Sequence, residues 1–325
     1  MSEATALWER KPQSLRFTLG DFCYWQYPFE AMVLDAPLSL QIEGSFDPAA
    51  LIASAPHGPS SYVVRAMPAN GPLAKISSEA GFIRYAPAQY PRHFVKLEGT
   101  FPDYLAKFSA KSRSTMRRKV RKFADQAGGT IEWRQYRTPD EMRALYPLAL
   151  ELSRKTYQEK LFGDGFENHA GSLDKLVSQA ERDLVRGYML FLRGEPVAYV
   201  FCPCSAGTML YGSLGYDPQH RSLSPGDVLL FLLIERLFTE RDFRYLDFGE
   251  GENWYKEHYA TDSIRCARVY YFKRSAKNWT AVMLHSFASK VTDLLGSALS
   301  ALRVRDTIRR LIRRQATDSG PSTAT

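Results

Sequence analysis

The sequence predicts a mixed α/β (α+β) fold: a mostly antiparallel sheet flanked by helices, with a smaller β-rich N-terminal lobe and a C-terminal amphipathic helix. Three observations carry that expectation. Residues 14–97 hold short apolar runs cut by nine prolines, from Pro28 to Pro91, a pattern of strands and turns rather than long helices. From Ile131 onward, strand-like and helix-like runs follow in the order β-α-α-β-β-β-α-β-α-β. The composition of the 325 residues, 45% hydrophobic and 24% charged with ordinary glycine and proline, can bury a sizeable core and excludes collagenous, disordered or low-complexity chains.

Taken in order, residues 15–19, 38–42, 62–67 and 82–85 read as strands, and a helix fits among the prolines only near 48–53. Thr100 caps a helix with Phe101, Tyr104, Leu105 and Phe108 on one face, which leads into a basic helix stopped by Gly128 and Gly129. A strand at 131–136 precedes a helix opened by Thr138-Pro139-Asp140-Glu141 and running to about Lys160. A second helix spans 173–185. Residues 187–192, 196–202 and 208–216 then form a three-strand antiparallel meander with a tight turn at Arg193-Gly194-Glu195. The run 227–238 is apolar all round, which predicts a buried helix. A strand at 245–249, a short helix at 253–259 and a strand at 266–272 follow. The expected organisation is a lobe at 1–99, a main domain at 100–275, a basic amphipathic helical tail at 276–315 and a disordered end at 316–325.

The net charge of +8 is concentrated. Between Lys111 and Lys122 there are seven basic residues and no acid, and Met116, Val120 and Phe123 at i, i+4, i+7 turn an apolar stripe inward and the cations outward. Such a face suits the phosphates of a nucleotide, a lipid-linked sugar or RNA; a solvated helix face is the other reading. From His285 to Gln315, seven basic residues and two acids alternate with leucine and isoleucine, the pattern of a helix that lies on anionic lipid at the inner membrane face or packs on its own domain. The longest apolar run, Val228 to Ile234, is far short of the roughly 20 residues that cross a bilayer. The N-terminus lacks the cationic start and apolar stretch of a secretory signal, so the expected compartment is the cytoplasm. Cys23, Cys202, Cys204 and Cys266 suit buried thiols rather than a disulfide scaffold or zinc site, and no two of the six histidines lie at i, i+4; no metal is expected.

The element order, together with Arg221-Ser222-Leu223-Ser224-Pro225-Gly226, resembles the GNAT acyltransferases, whose pyrophosphate loop reads [Gln/Arg]-x-x-Gly-x-[Gly/Ala]; Ser224 departs from that pattern. Tyr216-Asp217, Ser224-Pro225-Gly226, Leu246-Asp247-Phe248-Gly249-Glu250-Gly251 and Tyr255-Lys256, with the arginine-rich helix, are similar to the Fem-like GNAT branch associated with cellulose and exopolysaccharide biosynthesis. The likeness covers roughly Thr100 to Lys273. Independently of the family, Pro225 and Gly226 leave backbone N–H groups at a helix N-terminus, where the helix dipole favours an anion, and Arg221 adds a cation. Ser224 as an ordinary helix cap is the other reading.

The resemblance implies an acyl-CoA-dependent N-acyltransferase, most simply an N-acetyltransferase, acting on an amino group of a sugar or polysaccharide precursor by direct transfer. Its donor-binding residues would be Tyr211, Gly212, Ser213, Leu214, Arg221, Ser224, Gly226 and Asp227. The backbone from Tyr211 to Leu214 would meet the thioester carbonyl and its oxyanion. Acetyl-CoA or a longer acyl-CoA is the expected co-substrate. Attack by an amine requires a base, for which Glu250, Glu252 and Asp217 are candidates, and an acid, for which Tyr255 is the candidate; Lys256 would pair with an anionic group of the acceptor. Two alternatives stand beside this: an aminoacyl-tRNA donor as in Fem-type ligases, which is the one case that calls for a nucleic acid, and a non-catalytic scaffold on the membrane face of a polysaccharide synthase.

Overall fold

The periodicity changes from two-residue to helical at a joint near Thr100. A computed structural model describes residues 8–19, 22–35, 38–43, 60–69, 71–79, 81–155, 172–251 and 253–301. Before the joint come β1 (Trp8–Leu19), β2 (Phe22–Leu34), α1 (Leu38–Glu43), β3 (Ser61–Pro68), β4 (Ile76–Glu79), β5 (Phe82–Tyr85) and β6 (Gln89–Lys96). After it come α2 (Phe101–Ala106), α3 (Ala110–Gln126), β7 (Glu132–Tyr136), α4 (Pro139–Lys155), α5 (Ser172–Glu181), β8 (Val185–Leu192), β9 (Glu195–Ser205), β10 (Thr208–Leu210) and β11 (Leu214–Tyr216). The chain continues through a 3₁₀ turn (Pro218–Leu223), α6 (Pro225–Glu240), β12 (Tyr245–Asp247), α7 (Trp254–Tyr259), β13 (Asp262–Lys273) and α8 (Ala276–Ala301).

The strands join in one mixed, mostly antiparallel sheet in the order β1-β2-β3-β13-β6-β12-β10-β9-β8-β7, with β11 on β9, β5 on β13 and β4 on β5. Hydrogen bonding therefore crosses the joint: β6, from the proline-rich half, pairs with both β12 and β13. The buried face of α6 packs Val228, Leu229, Leu233 and Ile234 with Met116 and Phe123 of α3 and with Tyr188, Val200 and Met209 of the sheet. A second cluster puts Met142, Leu145 and Leu152 of α4 and Leu176 of α5 against Met189 and Tyr199 on another part of the same strands.

The Thr100 cap and the stop at Gly128 and Gly129, both at positive φ, act as read. The structure adds a reciprocal capping box between Thr100 and Asp103, and a Ser109 cap on the basic helix α3. Three readings differ. Residues 38–42 form helix α1, not a strand: Leu38 and Ile42, four apart, meet Phe94 and Tyr245, a match that alternation over five residues does not distinguish from a strand. β1 runs beyond the expected 15–19, and strands form at 22–34, 76–79 and 89–96, where none was expected; β3 pairs with β2 only over Met32–Leu34, so Pro28 lies on backbone that owes no N–H to that neighbour. The strand expected at 208–216 is broken at 211–213, with consequences described below. The helix near 48–53, the end of α4 beyond Lys155, the tail at 302–315 and the end at 316–325 lie outside the described residues. Among the described residues, no helix is long and apolar enough to cross a membrane.

Candidate active site

β10 and β12 run parallel and in register, Thr208 beside Tyr245 and Leu210 beside Asp247. The last rung is Tyr211 N–H to Asp247 O, 2.8 Å. Beyond it the two chains part: β11 stays on β9, while the chain after β12 turns through Gly249 and Gly251, both at positive φ. Phe201 N donates to Ser213 O (2.8 Å) and Asp217 N to Val197 O (2.9 Å). Since antiparallel rungs alternate, Leu214, opposite Val200, turns its N–H away from β9 and into the opening. Of the backbone expected to meet a thioester, Tyr211 thus spends its N–H on Asp247, Gly212 faces the Cys202 sulfur, and Leu214 presents an amide to the cleft.

The floor of the opening is aromatic: Tyr211, Phe248 and Tyr255 lie edge to face, with ring centroids 6.0–6.3 Å apart. Gly212 permits the break in the strand, since a Cβ there would sit 2.8 Å from Phe201 O, a backbone atom. Gly212→Ala is expected to destabilise the fold by about 1–3 kcal/mol and to lower turnover, because the strand must move where the Leu214 amide is aimed; thermal melts and initial rates check this.

α6 begins beside this opening. Ser224 takes a left-handed conformation, φ 52°, and its side chain makes no capping hydrogen bond. Pro225 has no N–H and Val228 N bonds Ser224 O, which leaves the amides of Gly226 and Asp227 without an intrahelical acceptor. Ser224 thus sits at the N-cap position, as the cap reading has it, but its side chain satisfies none of these amides. The basic helix flanks this end: Lys122 donates to Ser222 O (2.8 Å), and Lys119 pairs with Asp227 (2.9 Å) while lying 5.4 Å from the Trp254 ring centre. Asp227 also accepts from the Tyr259 hydroxyl at 3.2 Å, and Arg221 is exposed on the turn just before the helix.

On the far side, Asp247 is buried against the Arg92 guanidinium, whose Nε lies 3.0 and 3.1 Å from its two oxygens. Arg92 also donates to Gln41 (2.9 Å), and Asp247 accepts from Gly249 N (2.8 Å), which sets the turn that opens the cleft. Glu250 is held by Arg268, and Lys256 donates to Glu250 O at 2.5 Å. Burial lowers the Lys256 pKa below the usual lysine range, against the opposing pull of Asp247 and Glu250. Burial pushes the Tyr255 phenol up to about 12. Tyr90, whose buried hydroxyl makes no hydrogen bond, feels the charge of Glu250.

The parallel strand pair therefore opens beside a helix start with two free amides. Residues 110–257 match the acetyltransferase (GNAT) domain family. This stretch is a GNAT-type acyltransferase domain, running from the basic helix α3 into α7. No curated protein matches the chain. Among solved structures it is similar to L-PGS from Bacillus licheniformis, at 14% identity and TM-score 0.50 over 81% of this chain and 86% of that one. It is also similar to a conserved protein of unknown function from Bacteroides thetaiotaomicron VPI-5482 (15%, TM-score 0.49, 75% and 79%) and to FemX (10%, TM-score 0.47, 86% and 92%). At these identities the likeness is one of fold.

Within the GNAT domain, the remaining candidates are dispersed. Asp217 caps the 3₁₀ turn through Gln219 N (2.9 Å) and pairs with Lys155 (3.4 Å), so its carboxylate is engaged in structure. Glu252 lies outside the described residues. Cys202, Cys204 and Cys266 are buried thiols with pKa values raised by desolvation, and among the described residues no cluster of three or more His, Cys, Asp or Glu could hold a metal. A cavity of about 310 Å³ lies at the opposite end of β10, by the turn at Ser205–Gly207. There Arg137 and Arg186 are matched by Asp183 and Asp242, a balanced ion-pair network rather than a site that lacks a partner.

The sequence reading missed Arg92, Arg268 and Tyr90. Each belongs to a strand that reaches the cleft only through long-range pairing, β6 for Arg92 and Tyr90 and β13 for Arg268. The one local hint was a charged residue, Arg92, amid the strand residues of 89–96.

Proposed function

We propose that the chain is an acyl-CoA-dependent N-acyltransferase that acylates an amino group of a sugar or polysaccharide precursor, with acetyl as the simplest acyl group. The observation that carries this reading is the parted β10–β12 pair, with the Leu214 amide facing the opening and the Gly226 and Asp227 amides beside it. A thioester carbonyl at Leu214 would gain a donor as its oxygen becomes anionic. A diphosphate would take the two α6 amides and Arg221, with Lys119 offsetting the charge of Asp227. The acceptor class rests on the sequence resemblance around Leu246–Gly251 and Tyr255.

In this scheme the acceptor nitrogen attacks the carbonyl carbon and its proton passes to a carboxylate, for which Glu250, paired with Arg268, is the candidate. The C–S bond then breaks, and the departing thiolate takes up the proton that the amine gave to the carboxylate, directly or through water. With its pKa near 12, Tyr255 stays protonated at neutral pH and is a weaker acid than a thiol of pKa about 8.5, so its part is a hydrogen bond to the developing thiolate. Coenzyme A supplies the activated acyl group; the chain binds it, aims it and excludes water with the Tyr211, Phe248 and Tyr255 rings.

Calorimetric titration with acetyl-CoA and a longer acyl-CoA tests the donor. Saturable binding is expected, weakened about tenfold by Arg221→Ala through loss of one charge-assisted contact; absence of heat with either donor would sink the reading. A second reading, an aminoacyl-tRNA donor, is favoured by the exposed cations Lys111, Arg117, Arg118 and Arg121 on the helix that borders the loop. It requires tRNA binding that falls steeply with salt.

A further inference from the structure

α8 is amphipathic in the wrong direction for a helix that ends its contacts at its own domain. The face turned to the sheet is small or polar: Ala281, Val282, His285, Ser286, Ser289 and Thr292. It is fastened there by hydrogen bonds, with Tyr85 Oη donating to His285 Nδ1 (2.6 Å), His285 Nε2 to Arg16 O (3.1 Å) and Thr292 Oγ1 to Thr18 O (2.7 Å). The face turned to solvent carries the large apolar residues: Trp279, Met283, Leu284, Phe287, Val291 and Leu294, of which Phe287 is 66% and Leu294 71% exposed. Such a stripe has no reason to face water along four turns of helix. Next to it, Phe17, in contact with His285, also touches Trp25 and Tyr24, two more large exposed aromatics.

The charges around the stripe decide what covers it. Lys273, Arg274, Lys277 and Lys290 are exposed at its start and along its side, and the sequence that follows, from Arg303 to Arg314, is basic as well. A second copy meeting this face would bring together two surfaces that are both fringed by cations. An anionic bilayer meets them with opposite charge, takes the aliphatic side chains into its acyl boundary and accommodates Trp and Tyr at headgroup level. We propose that the outer face of α8, with Trp25 and Tyr24 beside it, is a peripheral binding surface for anionic phospholipid membrane. This surface is independent of the acyl donor, and its test does not use turnover.

Sedimentation of the full chain with vesicles is the experiment, comparing phosphatidylcholine alone with vesicles of about one-third phosphatidylglycerol. The protein is expected to partition onto the anionic vesicles and weakly onto the neutral ones. Phe287→Glu with Leu294→Glu should reduce that partitioning about tenfold or more. Lys277→Glu with Lys290→Glu should reduce it on anionic vesicles only. All four positions are exposed, so unchanged melting temperatures verify that folding is intact. Absence of binding to anionic vesicles, or binding indifferent to Phe287→Glu and Leu294→Glu, overturns the proposal. A dimer dissolved by the same pair, without vesicle binding, assigns the face to a second copy and overturns it equally.

Discussion

Arg92→Met should lower the free energy of unfolding by about 3–5 kcal/mol, because it leaves the Asp247 carboxylate buried without its counter-charge. Asp247 is 1% exposed, so water cannot replace the guanidinium, and Gln41 loses a donor at the same time. A second substitution separates stability from function. Arg92→Met with Asp247→Leu removes both charges and should regain most of the lost stability, since an apolar pair tolerates that site better than one unpaired ion. Activity should stay low in the double variant. Asp247 Oδ1 holds Gly249 N, and Gly249, at φ 68°, begins the turn that parts β12 from β11. Denaturant titration of both proteins beside their rates checks this; equal stability of wild type and Arg92→Met would refute it.

Tyr255→Phe should lower kcat about 10²-fold with little change in KM for the acyl donor. The ring contributes to the aromatic floor with Tyr211 and Phe248, and phenylalanine keeps that contact, so stability should shift by no more than about 1 kcal/mol. What is lost is the hydroxyl hydrogen that the proposed scheme directs at the departing sulfur. Because burial raises the phenol to about 12, Tyr255 keeps its proton through the range in which the enzyme is assayed, and the alkaline limb of the rate profile should be the same in wild type and variant. Retention of more than a third of wild-type kcat would remove Tyr255 from the chemistry.

Much of the framework was legible because it is written in local periodicity. The cap at Thr100, the inward Met116 and Phe123, the glycines after α3 and the all-apolar α6 are statements about near neighbours in sequence, and the chain obeys them. The site was legible only as a region. Leu246–Gly251 and Ser224–Asp227 stand out by residue type, yet the reasons they matter are geometric: Ser224 is left-handed and its side chain makes no capping hydrogen bond, and Asp247 sets a turn through an arginine 155 residues away in sequence.

Sequence alone determined the alternation of strands and helices from Glu132 to Lys273 save for the break at 211–213, the burial of α6 and the position of the basic helix, since each follows from side-chain spacing along one segment. Tertiary structure decided the rest. Long-range strand pairing put β6 between β12 and β13 and so brought Arg92, Tyr90 and Arg268 to the cleft. The close approach of Gly212 to Phe201 split one expected strand into β10 and β11 and opened the space between them. α8 shows the same division of labour: the sequence specified a basic amphipathic helix, while hydrogen bonds to β1 and β5 determined that Trp279, Met283, Leu284, Phe287, Val291 and Leu294 look outward.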